Sequence, residues 1–287
     1  MISSTLEIIE QLARVPSFSS YEERIHPLVE SIAARHPSAR IEKIPENNIL
    51  IEAPGNPALP PVAIAAHLDK INHFGAEYPA QLDFEKSETK IKGLLDDAAG
   101  AGLALSLLLQ SAEQNFPPLQ ILLSEMEEAT DLRNRPDLMK NGGARLHSGI
   151  GAERLARHLI QTNRAPALAI TIDVTPKFRG APGVAIYYKH WEFNGMTPTD
   201  ELVAATEKVR DQILTLDPEI SVHNNTNDYL VYGKVFNEES GQTVPSIAIE
   251  PAIWPYHQAD EEIFIEDLER IETTLRRLMN SITRFTK

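Results

Sequence analysis

The sequence predicts an α/β fold in which helices cover both faces of a mixed, largely parallel, twisted sheet. Short apolar runs bounded by proline, glycine or polar residues recur along the chain, for example at 61–66, 119–123 and 168–172. Runs of this length are typical of buried parallel strands. Segments with a helical spacing of apolar residues alternate with them, and this alternation is typical of α/β domains.

The N-terminal half of the chain begins with two helices. Leu6, Ile9 and Leu12 lie at helical spacing, and Pro16 ends the first of these helices. Helical spacing of apolar residues, short apolar runs typical of strands and the turn residues between these segments predict the other elements. We predict, in order, helix 4–14, a helix that ends near 34, strands 41–44, 48–53 and 61–66, at most one short hairpin within 71–92, helix 97–113 and strand 119–123.

The C-terminal half begins with a loop-rich stretch at 131–151. Thr197 or Thr199 is a candidate cap for a helix that begins at Pro198. The predicted elements are, in order, helix 152–161, strands 167–174 and 184–188, helix 198–216, strands 220–223 and 246–250, and helix 265–283. No linker, repeat or low-complexity segment divides the chain, so we expect residues 1–287 to form a single domain.

Composition narrows the class of protein and the kind of site. The chain has no cysteine, which excludes disulfides and thiolate metal sites. Its formal net charge of −14 favours solubility and would repel nucleic acid and anionic membranes, so we expect neither as a partner. The N-terminus lacks a signal-peptide pattern, and the longest apolar stretch, 103–109, is too short to span a bilayer. We therefore expect a cytoplasmic protein.

Histidines and carboxylates follow several of the predicted strands. The carboxyl ends of parallel strands meet at one edge of a sheet, where α/β proteins bind their ligands. Without cysteine, a metal ion here would be held by imidazole and carboxylate groups, which suits zinc, manganese or cobalt in a catalytic site. The candidate residues are His67, Asp69, Asp96, Asp97, Glu127, Glu128, Asp173 and His257.

Each candidate also has an ordinary structural interpretation. A histidine or aspartate at the end of a strand is often only the polar start of a loop. One aspartate of the Asp96–Asp97 pair could cap the following helix. Glu127 and Glu128 could belong to an acidic loop, or one could bind a metal ion while the other moves a proton.

The order of the candidate residues along the chain, together with four motifs, resembles that of the dizinc exopeptidases. This superfamily includes bacterial leucyl aminopeptidase, tripeptidase T, the tetrahedral aminopeptidases and carboxypeptidase G. Residues 12–23 resemble the opening helix boundary of that superfamily, and 47–51 resemble one of its strands. Residues 67–71 are similar to the first ligand motif of the tetrahedral and glutamyl aminopeptidases, and 256–261 to the closing motif. The resemblance covers nearly the whole chain.

The resemblance implies a centre of two divalent metal ions, with zinc as the expected metal and cobalt or manganese as alternatives. His67 and Asp173 would bind one ion, and Glu128 and His257 the other. Asp96 would bridge the two. Such a pair polarises the scissile carbonyl and lowers the pKa of a water to about 7 in favourable zinc sites.

The resemblance also implies roles for the neighbouring residues. Glu127 would be the general base, Asp69 would orient His67, and the peptide bond between Asp96 and Asp97 would be cis. This chain lacks both glycines that usually follow the glutamate pair in the superfamily, so the loop after Glu128 has no counterpart in the motif.

The resemblance indicates a metal-dependent aminopeptidase that acts on short peptides. Carboxypeptidase-type relatives hold a substrate carboxylate with a lid, and the short gap between His67 and Asp96 leaves no room for one, so we expect a catalytic domain without a lid. Two alternatives remain. One is a related dizinc amidohydrolase, of deacylase or carboxypeptidase type, that acts on a small N-acyl substrate, and the other is a non-catalytic binding protein that retains the fold.

Basic residues in the loop-rich stretch bear on this choice. If that loop folded over the site, they could bind an anionic substrate instead of a free amino group. The residues are Arg133, Arg135, Arg145 and His147. The oligomeric state and the preferred substrate side chain do not follow from the sequence.

Overall fold

A computed structural model describes residues 2–130, 132, 134–143 and 147–282 of the chain. The α-helices of these residues are α1 (Ile2–Ala13), α2 (His26–Ala33), α3 (Ala98–Ser111), α4 (Ile150–Gln161), α5 (Trp191–Asn194), α6 (Asp200–Leu216), α7 (Asp228–Glu239) and α8 (Ile265–Ser281). The strands are β1 (Arg40–Ile44), β2 (Asn48–Ala53), β3 (Val62–His67), β4 (Phe84–Lys86), β5 (Lys90–Gly93), β6 (Leu119–Ser124), β7 (Leu168–Ile172), β8 (Val184–Tyr187), β9 (Ser221–Val222), β10 (Ser246–Pro251) and β11 (Glu261–Phe264).

The main sheet has eight strands in the order β1-β2-β6-β3-β7-β10-β8-β9. Its four central strands, β6, β3, β7 and β10, run parallel. β2 joins this centre antiparallel on one side, and β8 does so on the other. The central strands are apolar on both faces, as expected for a covered parallel sheet, and every residue of β3 is buried. The predicted mixed, largely parallel sheet is confirmed.

Helices cover both faces of this sheet, as predicted. α3 and α8 pack on one face, where Ile64 and Ile121 belong to the larger hydrophobic core. α4 and α7 pack on the other face, where Ala63 and Leu122 contact a second core that includes Phe236. Neighbouring residues of one strand, such as Ala63 and Ile64, thus point into different cores. α1 packs on α3, and α6 packs on α8.

A second, small sheet has the order β11-β5-β4. Strands β4 and β5 form the hairpin that was predicted near 71–92, whereas β11 was not predicted. The antiparallel pairing of β11 with β5 places Glu261 opposite Gly93. From there, the Glu261 carboxylate accepts hydrogen bonds from the backbone amides of Leu95 at 2.8 Å and Asp96 at 3.1 Å. This small sheet therefore fixes the segment that carries Asp96.

Helix α7 was also not predicted. Tyrosine, valine and phenylalanine are poor helix formers and Gly233 is poorer still, so local propensity does not favour a helix here. Burial overrides that preference, because Tyr229, Tyr232 and Phe236 are fully buried at helical spacing. The Asn227 side chain caps the helix by accepting a 2.8 Å hydrogen bond from the Tyr229 amide.

The ends of two other helices refine the predictions. Thr199, rather than Thr197, caps α6 by accepting a hydrogen bond from the Leu202 amide at 3.1 Å. Helix α8 ends at Ser281, and the predicted end at Thr283 lies outside the described residues. Within the described ranges, no helix has both the length and the apolar character needed to cross a membrane.

Candidate metal centre

The carboxyl ends of the central strands meet at one edge of the main sheet. Strand β3 ends with His67, and Asp173 directly follows β7. Glu127 and Glu128 lie in the turn after β6, and His257 lies in the loop after β10. Because β6, β3, β7 and β10 are parallel neighbours, these residues all lie at the carboxyl ends of the central strands, as the sequence predicted.

The carboxylate of Asp96 lies between two histidines. Its Oδ1 atom is 3.0 Å from Nε2 of His67, and its Oδ2 atom is 3.6 Å from Nε2 of His257. Each oxygen therefore faces a different imidazole. This is the arrangement that a carboxylate shared by two adjacent cations requires.

Each of the two histidines has a second carboxylate nearby. Oδ1 of Asp173 is 3.8 Å from Nε2 of His67, and Oε1 of Glu128 is 3.6 Å from Nε2 of His257. Ligand atoms of Asp96, Glu128 and His257 all lie within 4.8 Å of one another. The five residues proposed as ligands thus form two histidine–carboxylate pairs with Asp96 between them.

The neighbouring Asp97 has a different position. Its Oδ1 atom accepts a 2.7 Å hydrogen bond from the Gly100 amide and caps α3, and its Oδ2 atom is 3.4 Å from the backbone nitrogen of His67. Ligand atoms of His67, Asp97 and Asp173 also lie within 4.8 Å of one another. Since one Asp97 oxygen is used by the cap, we favour Asp96 as the shared ligand. The Asp96–Asp97 peptide bond is cis, as the resemblance implied.

The orientation of the His67 ring is set by contacts between its Nδ1 atom and Asp69. Its Nδ1 atom lies 3.0 Å from the backbone carbonyl oxygen of Asp69 and 3.4 Å from Oδ1 of the same residue. A carbonyl oxygen only accepts, so Nδ1 carries a proton and Nε2 faces Asp96 and Asp173. The backbone of Asp69 thus shares the orienting role that the sequence assigned to its side chain.

The fully buried Asp69 carboxylate holds the turn after β6. Its Oδ1 atom accepts a hydrogen bond from the Glu127 amide, and its Oδ2 atom accepts one from the Glu128 amide, both at 3.0 Å. Oδ2 also accepts a 2.7 Å hydrogen bond from the Ser19 hydroxyl. One side chain therefore connects the N-terminal segment, the end of β3 and the turn with the two glutamates.

The two preceding amides of this turn are held in the same way. The Glu125 amide donates to Oδ1 of Asn48 at 3.0 Å, and the Met126 amide donates to Oε1 of Glu22 at 3.2 Å. Burial, with the Asp69 charge nearby, raises the pKa of Glu22 to about 8. The sequence did not predict a role in the site for Glu22 or Asn48, although both lie within the motifs that carry the resemblance.

The adjacent Glu125 is a structural residue. Its carboxylate accepts hydrogen bonds from Asn48 Nδ2 at 2.7 Å and the Asn47 amide at 3.0 Å, and it forms an ion pair with Arg154. Its side chain is 2 % exposed. Glu127, by contrast, is partly exposed and lines a pocket.

The electrostatics of the site fit divalent cations. Burial raises the pKa of Glu128 well above its ordinary value, and the nearby Asp96 and Glu127 raise it further. Burial opposes a charge on His67, but hydrogen bonds to Asp173, Asp69 and Asp96 outweigh it and raise the pKa of His67. Buried carboxylates this close together need a cation to be stable. Imidazole and carboxylate are donors suited to zinc, cobalt or manganese.

A pocket of about 290 Å³ opens beside these residues. Its described lining contains no lysine or arginine. Among the basic residues that could have bound an anion, Arg135 is exposed and pairs with Asp137, and His147 is exposed. Arg133 and Arg145 lie outside the described residues. The pocket is lined by Glu127, Glu128, Thr130, Ser148, Gly149, Thr226, Asn227, Asp228, Val231, Tyr256 and His257.

One of these lining residues, Asp228, was missed by the sequence analysis. It is the first residue of α7, the helix that was not predicted. Burial raises the pKa of Asp228 to about 7, although a 2.7 Å hydrogen bond from the Ser124 hydroxyl acts to lower it. A cap residue before the aromatic run, Asn227, was the sequence signal that could have located it.

Comparisons with known proteins agree on the fold. No protein-family model matches the chain, and no curated protein matches it in sequence. An aminopeptidase from the archaeon Desulfurococcus kamchatkensis is similar in structure, with a TM-score of 0.70 at 12 % identity over 100 % of this chain and 98 % of that chain. The chain has the fold of this aminopeptidase.

Two further solved structures share the fold. Aminopeptidase PepT from Bacillus cereus has a TM-score of 0.68 at 10 % identity, over 99 % of both chains. A protein from Thermotoga maritima named an endoglucanase has a TM-score of 0.63 at 12 % identity, over 97 % of this chain and 99 % of that chain. At these identities the likeness concerns the fold, which agrees with the resemblance to the dizinc exopeptidases.

Proposed function

We propose that this protein is a metal-dependent aminopeptidase that removes N-terminal residues from short peptides. The observation that supports this most directly is the Asp96 carboxylate, whose two oxygens face His67 and His257 at 3.0 Å and 3.6 Å. A carboxylate shared by two histidine–carboxylate pairs suits a centre of two adjacent metal ions. The fold, shared with aminopeptidases, agrees with this proposal.

The proposed metal centre holds two divalent ions, with zinc as the first expectation and cobalt or manganese as alternatives. His67 and Asp173 would hold one ion, Glu128 and His257 would hold the other, and Asp96 would be shared between them. When bound, the ions polarise the scissile carbonyl and make the attacking water more acidic.

Glu127 is the proposed general base. Its amide is held by Asp69, and its carboxylate lines the pocket beside Glu128 and His257. From there it takes a proton from the attacking water and returns it to the leaving amine. Asp69 is the proposed positioning residue, because it contacts both the His67 ring and the turn that carries Glu127.

The charge of the pocket favours a substrate with a free amino terminus. Carboxylates line it, and no lysine or arginine is present among its described lining residues. Such a pocket attracts a cationic α-amino group and disfavours the carboxylate of an N-acyl amino acid. We therefore place the aminopeptidase before a deacylase or a carboxypeptidase.

The proposed function is tested with protein that has been stripped of metal and reloaded with zinc. We expect kcat/KM to be highest for a dipeptide amide and much lower for its N-acetyl form and for an N-acylated amino acid. The Glu127→Gln variant serves as a control for contaminating peptidases. Faster hydrolysis of the acylated substrates would identify a deacylase or carboxypeptidase, and no hydrolysis by fully loaded protein would favour a binding protein.

We also propose that residues 1–287 act as one catalytic domain without a lid. In support, α6 packs against α8, and α7 packs against the main sheet, so the 178–245 segment contributes to the same cores as the rest of the chain. A cytoplasmic location remains an expectation from the sequence.

A further inference from the structure

Three carboxylates line the pocket beside the proposed metal centre, and two of them have a proposed role. Glu128 holds a metal ion and Glu127 moves a proton. The third, Asp228, belongs to none of the groups of described residues that could hold a metal ion. Its part in the reaction is not explained by the metal centre.

The backbone and one carboxylate oxygen of Asp228 are held firmly. Its side chain is buried, and its Oδ2 atom accepts a 2.7 Å hydrogen bond from the hydroxyl of Ser124, the last residue of β6. The preceding residue, Asn227, donates a 2.6 Å hydrogen bond to Glu250 and caps α7 through the Tyr229 amide. The carboxylate is therefore fixed by both β6 and α7.

The other carboxylate oxygen, Oδ1, lies next to the pocket wall at Gly149. A methyl group on Gly149 would lie 3.4 Å from Asp228 Oδ1 and 2.8 Å from a methyl of Val231. All three residues line the pocket. The glycine thus leaves room beside Oδ1 that any larger residue would fill.

No lysine or arginine lies among the described lining residues of the pocket to balance the charge of Asp228. Its hydrogen-bond partner there is the neutral Ser124 hydroxyl, and it is not one of the three carboxylates, Asp96, Glu128 and Asp173, that are proposed to hold the metal ions. A buried carboxylate without a cation is unfavourable. A positively charged group of a ligand would remove this penalty.

We infer that Asp228 binds the protonated α-amino group of the peptide substrate through Oδ1 and thereby selects peptides with a free N-terminus. The inference rests on the proposed aminopeptidase function and names the residue that sets its specificity. Asp228 and Glu127 line the same pocket, so an ammonium group held by Asp228 would lie in the pocket that contains the proposed base. An N-acyl group would instead leave the buried charge without a cation.

The test measures binding, so that it does not depend on turnover. Zinc-loaded Glu127→Gln protein, which retains the pocket, is titrated calorimetrically with a dipeptide amide and with its analogue in which hydrogen replaces the α-amino group. We expect the amine to bind at least about tenfold more tightly than the analogue. Adding Asp228→Asn should reduce this ratio to near one by weakening the binding of the amine only.

Two further variants separate the specific contact from general effects. Asp260→Asn removes an exposed carboxylate outside the pocket lining and should leave the ratio unchanged. Asp228→Glu keeps the charge and should retain a higher ratio than Asp228→Asn, which also covers the case in which the asparagine variant is unstable.

An undiminished preference for the amine in folded, zinc-loaded Asp228→Asn protein would overturn the assignment of Asp228 and leave the aminopeptidase proposal intact. A wild-type enzyme that prefers acylated substrates would overturn the proposed function, and the role of Asp228 with it. The hydrolysis panel thus distinguishes the two failures.

Discussion

The backbone amide of Glu127 donates a 3.0 Å hydrogen bond to the buried carboxylate of Asp69. The same carboxylate accepts a hydrogen bond from the Glu128 amide, and the Asp69 carbonyl oxygen contacts the His67 ring. Asp69 therefore sets the position of His67, at the end of β3, relative to Glu127 and Glu128, in the turn after β6. A change at this residue should affect both sides of the centre.

We expect Asp69→Asn to lower kcat or zinc affinity by about 10- to 100-fold. An asparagine has one acceptor oxygen for the two turn amides, and its NH₂ group would face an N–H donor. Steady-state kinetics and zinc titration against a competing chelator measure the two effects. Ser19→Ala, which removes only the hydroxyl bonded to Asp69, is the matched control and should have a smaller effect. Wild-type kinetics and zinc affinity in Asp69→Asn would contradict the positioning role.

We expect Glu127→Gln to lower kcat by about 10² to 10⁴ while the metal content stays unchanged. Glutamine keeps the shape of the side chain but cannot take a proton from water. Single-turnover kinetics with a dipeptide amide, together with metal analysis of the same sample, measure both quantities. A near-normal kcat in metal-loaded protein would remove Glu127 from the mechanism.

Glu125→Gln is the matched control for the Glu127 variant, because both change a glutamate of the same turn. Glu125 is already bonded to the Asn47 amide, Asn48 and Arg154. We expect its substitution to lower the melting temperature and to affect kcat less than Glu127→Gln does. A larger loss of kcat in stable Glu125→Gln protein would transfer the role of base to Glu125.

Metal content should distinguish the shared ligand from the unshared ones. We expect about two zinc ions per wild-type chain and about one in His257→Ala, which keeps His67, Asp96 and Asp173. Asp96→Ala should hold less than His257→Ala, since it removes an oxygen from each ion. Mass spectrometry of dialysed protein measures the stoichiometry. Equal metal content in the two variants would show that Asp96 is not shared.

The pH dependence of stability can be tested at His190, which directly precedes α5 and is not one of the proposed metal ligands. Its ring is fully buried, and burial lowers the pKa of His190 to about 4 against an ordinary value of 6.5. As pH falls from 6.5 toward 4, the unfolded chain gains a proton at this residue and the folded chain does not, so stability is lost over this interval. The loss between pH 7 and 4.5 should be roughly 2 to 3 kcal/mol.

Denaturant titrations of metal-free wild-type protein and of His190→Asn at both pH values measure this contribution. Asparagine can still donate to the Ser246 carbonyl oxygen, which lies 3.3 Å from His190 Nδ1, but does not titrate. We expect the free energy of unfolding of the variant to fall less on acidification. An equal fall in both proteins would mean that His190 is protonated in the folded state.

The sequence was sufficient to predict the central sheet and the residues at its edge, because both depend on local patterns. Apolar runs identify buried strands, and parallel strands bring their carboxyl ends together. The local pattern could not distinguish the roles of Asp96 and Asp97, because both are aspartates before a helix, and only the resemblance assigned the shared ligand to Asp96. In the structure, Asp97 caps α3 and Asp96 faces the two histidines.

Two other features depend on contacts between distant parts of the chain. Helix α7 forms because Tyr229 and Tyr232 are buried against the sheet, which its local propensity does not reveal. The contacts of Glu22 and Asn48 with the turn after β6 join residues far apart in sequence. No periodicity encodes such pairs, so the sequence did not predict these contacts with the turn.

The support of the turn at 125–128 by Glu22, Asn48 and Asp69 has a consequence for how the protein acquires its activity. All three side chains precede the turn in the chain and come from separate segments, so the turn reaches its final geometry only when the N-terminal third has docked on β6. Catalytic competence should therefore appear late during refolding, and it should be lost in the same cooperative transition as the fold itself.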